Sequence, residues 1–269
     1  MSGLELVDIG ANLTNKAFRE DLDAVLERAG RAGVSAILVT GTSTSASRAA
    51  REMAVDRRRA AGCRLHATAG IHPHQASSAS RDALAEIHEL SLRTEVVAVG
   101  ECGLDYDRNY SPRDAQLRAF EAQLELACEV RKPVFLHERE AQDDFARLVE
   151  RYRGRLVGGV IHCFTGDRAA LERYLALDLH VGFTGWLCDE RRGTHLRELA
   201  RLVPAGRLLV ETDAPYILPR DLPERRTTRR NEPAFVVHVA RTVAACRGES
   251  PGELARHTTA AAKELFGLS

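Results

Sequence analysis

The stretch "EVVAVGE" (95–101) decides how the fold is read: five apolar or glycine residues run without a polar interruption between two glutamates. A strand with one wet face alternates apolar and polar residues. An unbroken apolar run of this length suits a strand buried on both faces, as in a parallel sheet. The same signature recurs in "LELVD" (4–8), "AILVTG" (36–41), "HATAGIH" (66–72), "PVFLH" (133–137), "GGVIH" (158–162), "HVGFTG" (180–185) and "RLLVETD" (207–213).

Between these runs the apolar period changes from two to about 3.6. In "REDLDAVLERAGRAG" (19–33), Leu22, Val25, Leu26 and Ala29 share one helical stripe and Gly33 stands where a C-terminal stop belongs. In "DAQLRAFEAQLELACEVRKP" (114–133), Leu117, Phe120, Leu124 and Ala127 line up before Pro133. Eight strands alternating with helices predict a (β/α)8 TIM barrel in a single domain, 1–269, closed by two further helices near the C-terminus. A doubly wound open sheet has the same local pattern, but no G-x-G-x-x-G follows the first strand.

Composition narrows the function. Lys+Arg and Asp+Glu each number 38, which removes a globally basic coat for nucleic acid and leaves local basic patches. The six cysteines (63, 102, 128, 163, 188 and 246) form no C-x-x-C pair and read as reduced, mostly buried thiols. There is neither a signal-peptide pattern nor an apolar run of the ~20 residues a membrane helix needs. A cytoplasmic protein is expected, and no membrane partner.

The candidate chemistry sits at the ends of the strands. Asp8, His72 with His74, Glu101, His137, His162 and Asp213 each close an apolar run. In a barrel these ends share one mouth. Packing does not require a carboxylate or imidazole at six strand ends, whereas a divalent hydrolytic metal centre does. If two ions share the site, a carboxylate must bridge them, and Glu101 fits that role behind a glycine that permits close approach. His137 and His162 would each hold one ion. Asp213 could ligate, orient the attacking water or accept its proton.

"GIHPH" (70–74), "GECGLDY" (100–106), "PVFLH", "VIHCFTG" (160–166) and "ETDAPY" (211–216) stand in the order and spacing of the TatD family of metal-dependent deoxyribonucleases, which the chain resembles from about Asp8 to "RRNEP" (229–233). The resemblance implies a metal-dependent hydrolase barrel that cuts nucleic acid with Mg²⁺, and within that family a 3′→5′ exonuclease on single-stranded DNA and RNA ends, linked to DNA repair. Carried over by position, Glu101, His137 and His162 are its metal ligands, Asp213 a ligand or proton acceptor, and His72 a histidine near the scissile phosphate. The chain departs from the family at the first strand, where many members carry His-x-His and this sequence has Asp8-Ile9-Gly10. Fewer imidazoles leave that position more oxygen-rich, which favours Mg²⁺ or Mn²⁺ over Zn²⁺. Asp8 is expected to be a weak or indirect metal contact, and Asn12 a loop hydrogen-bonder.

Other residues carry two readings. Arg220, Arg225, Arg226, Arg229 and Arg230 follow strand eight and would overhang the mouth. Arg229 and Arg230 are taken as binders of the phosphate backbone, although Glu224 and Glu232 lie beside them. Trp186, Tyr106, Arg191 and Arg192 either meet bases and phosphates or cap the barrel. His66, His88, His180, His195, His238 and His257 are read as surface or packing residues, and Cys102 and Cys163 as small apolar neighbours of the site. A monomeric exonuclease is the leading expectation. A barrel hydrolase of amide or ester bonds, on a small molecule or an aminoacyl-tRNA, is the alternative, and a degenerate interaction module comes third.

Overall fold

The computed structural model describes residues 3–57, 59–60, 62–222 and 229–268. Eight parallel strands follow one another around the sheet in chain order: β1 (Leu6–Ala11), β2 (Val34–Val39), β3 (Cys63–Ala69), β4 (Val96–Asp105), β5 (Val134–Arg139), β6 (Gly159–Ile161), β7 (His180–Phe183) and β8 (Leu208–Val210). A two-residue strand, Arg59–Ala60, pairs antiparallel with the start of β3. The helices are α1 (Leu22–Ala32), α2 (Thr44–Asp56), α3 (Arg81–Ser91), α4 (Arg113–Val130), α5 (Gln142–Tyr152), α6 (Arg168–Ala176), α7 (Thr194–Leu202), α8 (Val236–Arg247) and α9 (Pro251–Phe266).

Local chemistry sets several boundaries. Gly33 ends α1 in the left-handed conformation at φ 101°, and Val25, Leu26 and Ala29 are its buried face. Ser43, Ser80, Asp167 and Ser250 accept N-cap hydrogen bonds at α2, α3, α6 and α9, satisfying backbone donors that no helical carbonyl reaches. Successive strand residues face opposite sides, and two apolar layers result. Val7, Ile9, Leu38, Val97, Phe135, Val160 and Leu209 pack inside the barrel, with Ala261, Ala262 and Phe266 of α9 against them. Leu6, Ile37, Val39, Val99, Leu136, Ile161 and Val210 belong to the larger layer with the helices.

The ring closes between β1 and the end of β8. Asp213 donates its N–H to Gly10 O at 2.8 Å, Asn12 donates its own to Ala214 O at 2.6 Å, and Ala11 bridges Ala214 in parallel. Two of the boundaries that differ from the sequence reading bear on the site. β3 stops at Ala69, so His72 lies beyond it as the N-cap of the 3-10 turn Pro73–Ser78, because Pro73 has no N–H for a ladder. β4 runs on through Glu101 to Asp105, since its last residues pair with β5 as far as Asp105 with Arg139.

Candidate metal centre

Glu101 is delivered by a bulge. On β4, Gly100 pairs with Phe135 and Cys102 with Leu136, so Glu101 is an extra residue that no β5 residue opposes. Such a residue is turned out of the ladder, which aims its side chain. Gly100 makes the turn possible: its φ is +139° and a Cβ there would lie 2.1 Å from Phe135 O.

Three imidazoles converge on one oxygen of this carboxylate. His162 Nε2 lies 2.8 Å from Glu101 Oε1, His137 Nδ1 3.1 Å and His72 Nε2 3.2 Å. His137 and His162 continue the inward-facing parity of Phe135 and Val160 one step past the apolar interior. Glu101 and His162 are nearly inaccessible, and the ring of His162 stacks on Phe135 with centroids 4.7 Å apart.

A second row of carboxylates stands behind the imidazoles. Glu211 continues the parity of Leu209, is fully buried, and accepts from Cys163 N and from His162 Nδ1 (3.3 Å). It occupies space that two glycines leave open, because a Cβ at Gly10 would stand 2.4 Å from Glu211 Oε2 and one at Gly182 2.7 Å from Oε1. Asp105 Oδ2 lies 2.7 Å from His74 Nε2 and 3.4 Å from His137 Nε2. Asp213 shares the inward parity of Glu211 and accepts from Asn12 Nδ2 at 2.9 Å. Neither Glu211 nor Asp105 was singled out from the sequence. The signal for Glu211 was present in "VETD", where it stands two residues before Asp213 and so on the same face.

These contacts fix the electrostatics. Burial alone would raise the Glu101 carboxyl, but the His162, His72 and His137 rings hold it well below the usual range. Burial disfavours charge on His162, and the carboxylates of Glu101 and Glu211 on its two nitrogens raise it well above an ordinary histidine. His72 lacks a second carboxylate and burial pushes it down to about 4. Asp213 is raised to about 7, by burial and by Glu101 and Glu211 against the opposing pull of His162.

The donor set fits a divalent cation. His72, Glu101 and His137 each offer a ligand atom within 4.8 Å of the others. His162 lies between two acceptors, so in this arrangement both ring nitrogens carry protons, and a cation on Nε2 would take the place of one of them.

Asp8 departs from its expected role. Its neighbours Val7 and Ile9 face the barrel interior, so Asp8 faces the other way. Fully buried, it accepts from Thr212 N at 2.9 Å, Thr212 Oγ1 at 2.6 Å and Gly10 N at 3.3 Å. It ties β1 to the end of β8 and is not among the converging ligand atoms. Arg230 departs as well. Its guanidinium holds Asp21 through two bonds of 2.7 Å and Ala17 O at 2.6 Å, whereas Arg229 is exposed. Arg220 pairs with Asp189 at 2.9 Å, and Arg225, Arg226 and Glu224 lie outside the described residues. Tyr106 is held between Asp144, to which it donates at 2.8 Å, and the Arg113 guanidinium over its ring. Beside the centre, Trp186 and Arg192 line a recess of about 220 Å³ with Glu138, Arg139 and Thr165.

Known proteins resemble this chain over its whole length. The profile of the "TatD related DNase" family matches residues 7–267. A protein named 3′-5′ ssDNA/RNA exonuclease TatD from Rahnella sp. (strain Y9602) is 51% identical over 264 residues, covering 98% of this chain and 99% of that protein. One of the same name from Erwinia billingiae (strain Eb661) is 50% identical over 263 residues, with 98% and 99% covered. Among solved structures, a hydrolase TatD family protein from Entamoeba histolytica superposes with a TM-score of 0.90 at 26% identity, covering 100% of both chains. A TatD homolog from Escherichia coli K12 gives 0.88 at 28%, with 98% of each chain covered. No helix of the described residues is long and apolar enough to cross a membrane.

Proposed function

The chain belongs to the TatD-related DNase family, and from that premise we propose that it is a Mg²⁺-dependent 3′→5′ exonuclease acting on single-stranded DNA and RNA ends. The observation that carries the reading is the convergence of His72, His137 and His162 on Glu101 Oε1, with carboxylates behind them. Glu101, His137 and His162, joined by Asp213, are the residues that would hold the cation. When bound, it supplies positive charge against the anionic transition state and a more acidic water. The oxygen donors of Glu101 and Asp213 suit Mg²⁺, with Mn²⁺ as a substitute.

The protein's own groups divide the remaining work. Asp213, on the inward face beside Glu211 and held by Asn12, is placed to orient the attacking water or accept its proton. His72, beside Glu101 at the mouth, is placed near the scissile phosphate. The exposed Arg229 serves the phosphate backbone, and the Trp186 recess is a place for a base to stack. That recess is lined by charged and polar side chains, unlike the closed apolar pocket expected of an amide or ester hydrolase. The enzyme is taken to act as a monomer. A part in DNA repair rests on the family resemblance.

End-labelled single-stranded DNA and RNA incubated with Mg²⁺ should release mononucleotides from the 3′ end. Glu101→Gln should lower the rate by at least about 100-fold with the circular dichroism spectrum unchanged. Release of no nucleotide by the wild type, or full activity in the variant, would refute the reading.

A further inference from the structure

A second group of ligand-type side chains lies apart from the Glu101 centre. Cys188 ends the 3-10 turn Gly185–Cys188 after β7, Asp221 lies in the loop after β8, and His238 stands in the first turn of α8. Cys188 Sγ, an Asp221 carboxylate oxygen and a His238 ring nitrogen all lie within 4.8 Å of one another. His238 Nε2 and Asp221 Oδ1 are 2.6 Å apart. In a tetrahedral zinc site, with ligand bonds of about 2.0–2.3 Å, neighbouring donors stand roughly 3.3–3.6 Å from one another.

We propose that Cys188, Asp221 and His238 bind one zinc-class divalent cation as a structural clip, separate from the Glu101 centre. The donor chemistry is the first argument. A thiolate, an imidazole and a carboxylate form a borderline-soft set that selects Zn²⁺ or Co²⁺ over Mg²⁺. No thiol belongs to the group that converges on Glu101. Exposure is the second. Cys188 is fully buried while Asp221 is open to solvent, which gives the cation a dry anchor, an entry path and room for a water as fourth ligand.

The surroundings support the same arrangement. Thr242 Oγ1 lies 3.6 Å from Cys188 Sγ and donates to His238 O at 3.0 Å, tying two of the three ligands together. Among the described residues, two neighbouring guanidinium groups are engaged elsewhere: Arg220 on Asp189, and Arg197 on Leu187 O. Burial keeps the Cys188 thiol protonated, with its pKa pushed up to about 12. Binding therefore breaks the S–H bond, releases that proton to solvent and forms the metal–sulfur bond. Thiolate and carboxylate then balance the two positive charges, and His238 binds as the neutral imidazole. The clip joins the turn that carries Trp186 to Asp221 and to α8.

Cobalt tests the clip directly, because a thiolate-to-Co²⁺ charge-transfer band in the near ultraviolet reports only cysteine ligation. The full-length protein, stripped with chelator and titrated with Co²⁺, should develop this band to a saturating intensity that corresponds to one thiolate ligand, and Zn²⁺ should bleach it. Cys188→Ser should abolish the band, and Asp221→Asn should weaken cobalt binding at least tenfold. Cys163→Ser, beside the Glu101 centre, should leave it intact. A wild type without the band, or a band that survives Cys188→Ser, would overturn the proposal. The readout is independent of nuclease activity, and the near-isosteric serine and the exposed Asp221 site keep the variants folded.

Discussion

Asp8 and Glu211 exchange the roles that position in the sequence suggests for them. Asp8 ends an apolar run and looks like a ligand, yet its carboxylate is spent on Thr212. Glu211 looks like an interior strand residue, yet it backs His162. Glu101, His137 and His162 were legible because each is the first polar residue after a buried run. Glu211 was not, because picking only the last polar residue of "VETD" ignores the alternation that puts Glu211 and Asp213 on one face. Asp8→Ala would leave two buried Thr212 donors without an acceptor and should cost about 2–4 kcal/mol in urea unfolding. Its activity at saturating Mg²⁺ should persist below the new melting temperature. Glu211→Gln should instead lower metal affinity by about 10–100-fold in equilibrium dialysis, since it removes the charge that orients His162.

The segment after β8 shows at the level of elements why a run of arginines is ambiguous. Arg230 packs its guanidinium over Phe18 and holds Asp21, fastening that segment to the turn before α1. Arg229, next to it, faces solvent. Sequence carries the charge of both residues but not the position of their partners, which lie about 200 residues away. Arg230→Ala should lower the melting temperature with little change in the salt dependence of oligonucleotide binding. Arg229→Ala should reverse that pattern, leaving the melting temperature unchanged and flattening the slope of log K against log salt by about one unit or less. The strands and helices themselves were legible from period and punctuation. Their boundaries moved where a proline or a bulge intervened, at Pro73 and Glu101, and both sites lie at the mouth.

Over the whole molecule, the alternation of strands and helices was legible in the sequence but fits a barrel and a doubly wound sheet alike; eight strands and the missing G-x-G-x-x-G favoured the barrel, in which the strands lie side by side in chain order. Buried histidines outside the mouth contribute to global stability. His180 is buried with Nδ1 near Gly159 O at 3.3 Å, and burial lowers its pKa. A depressed histidine is neutral in the fold while the unfolded chain takes up a proton below about 6.5, so its contribution is present above that pH and lost as pH falls. Between pH 7.5 and 5.5 the urea stability of the wild type should fall more steeply than that of His180→Gln, by up to about 1.4 kcal/mol per pH unit.

The seam between β1 and the end of β8 joins residues 204 positions apart at Asp8 and Thr212. Glu211, Asp213 and Asn12 all stand on that seam. During synthesis the N-terminal half of the barrel therefore leaves the ribosome without the carboxylates of strand eight. A chain that stops before residue 211 keeps His72, Glu101, His137 and His162 but lacks the carboxylates of Glu211 and Asp213, so only the completed seam supplies the full charge of the centre.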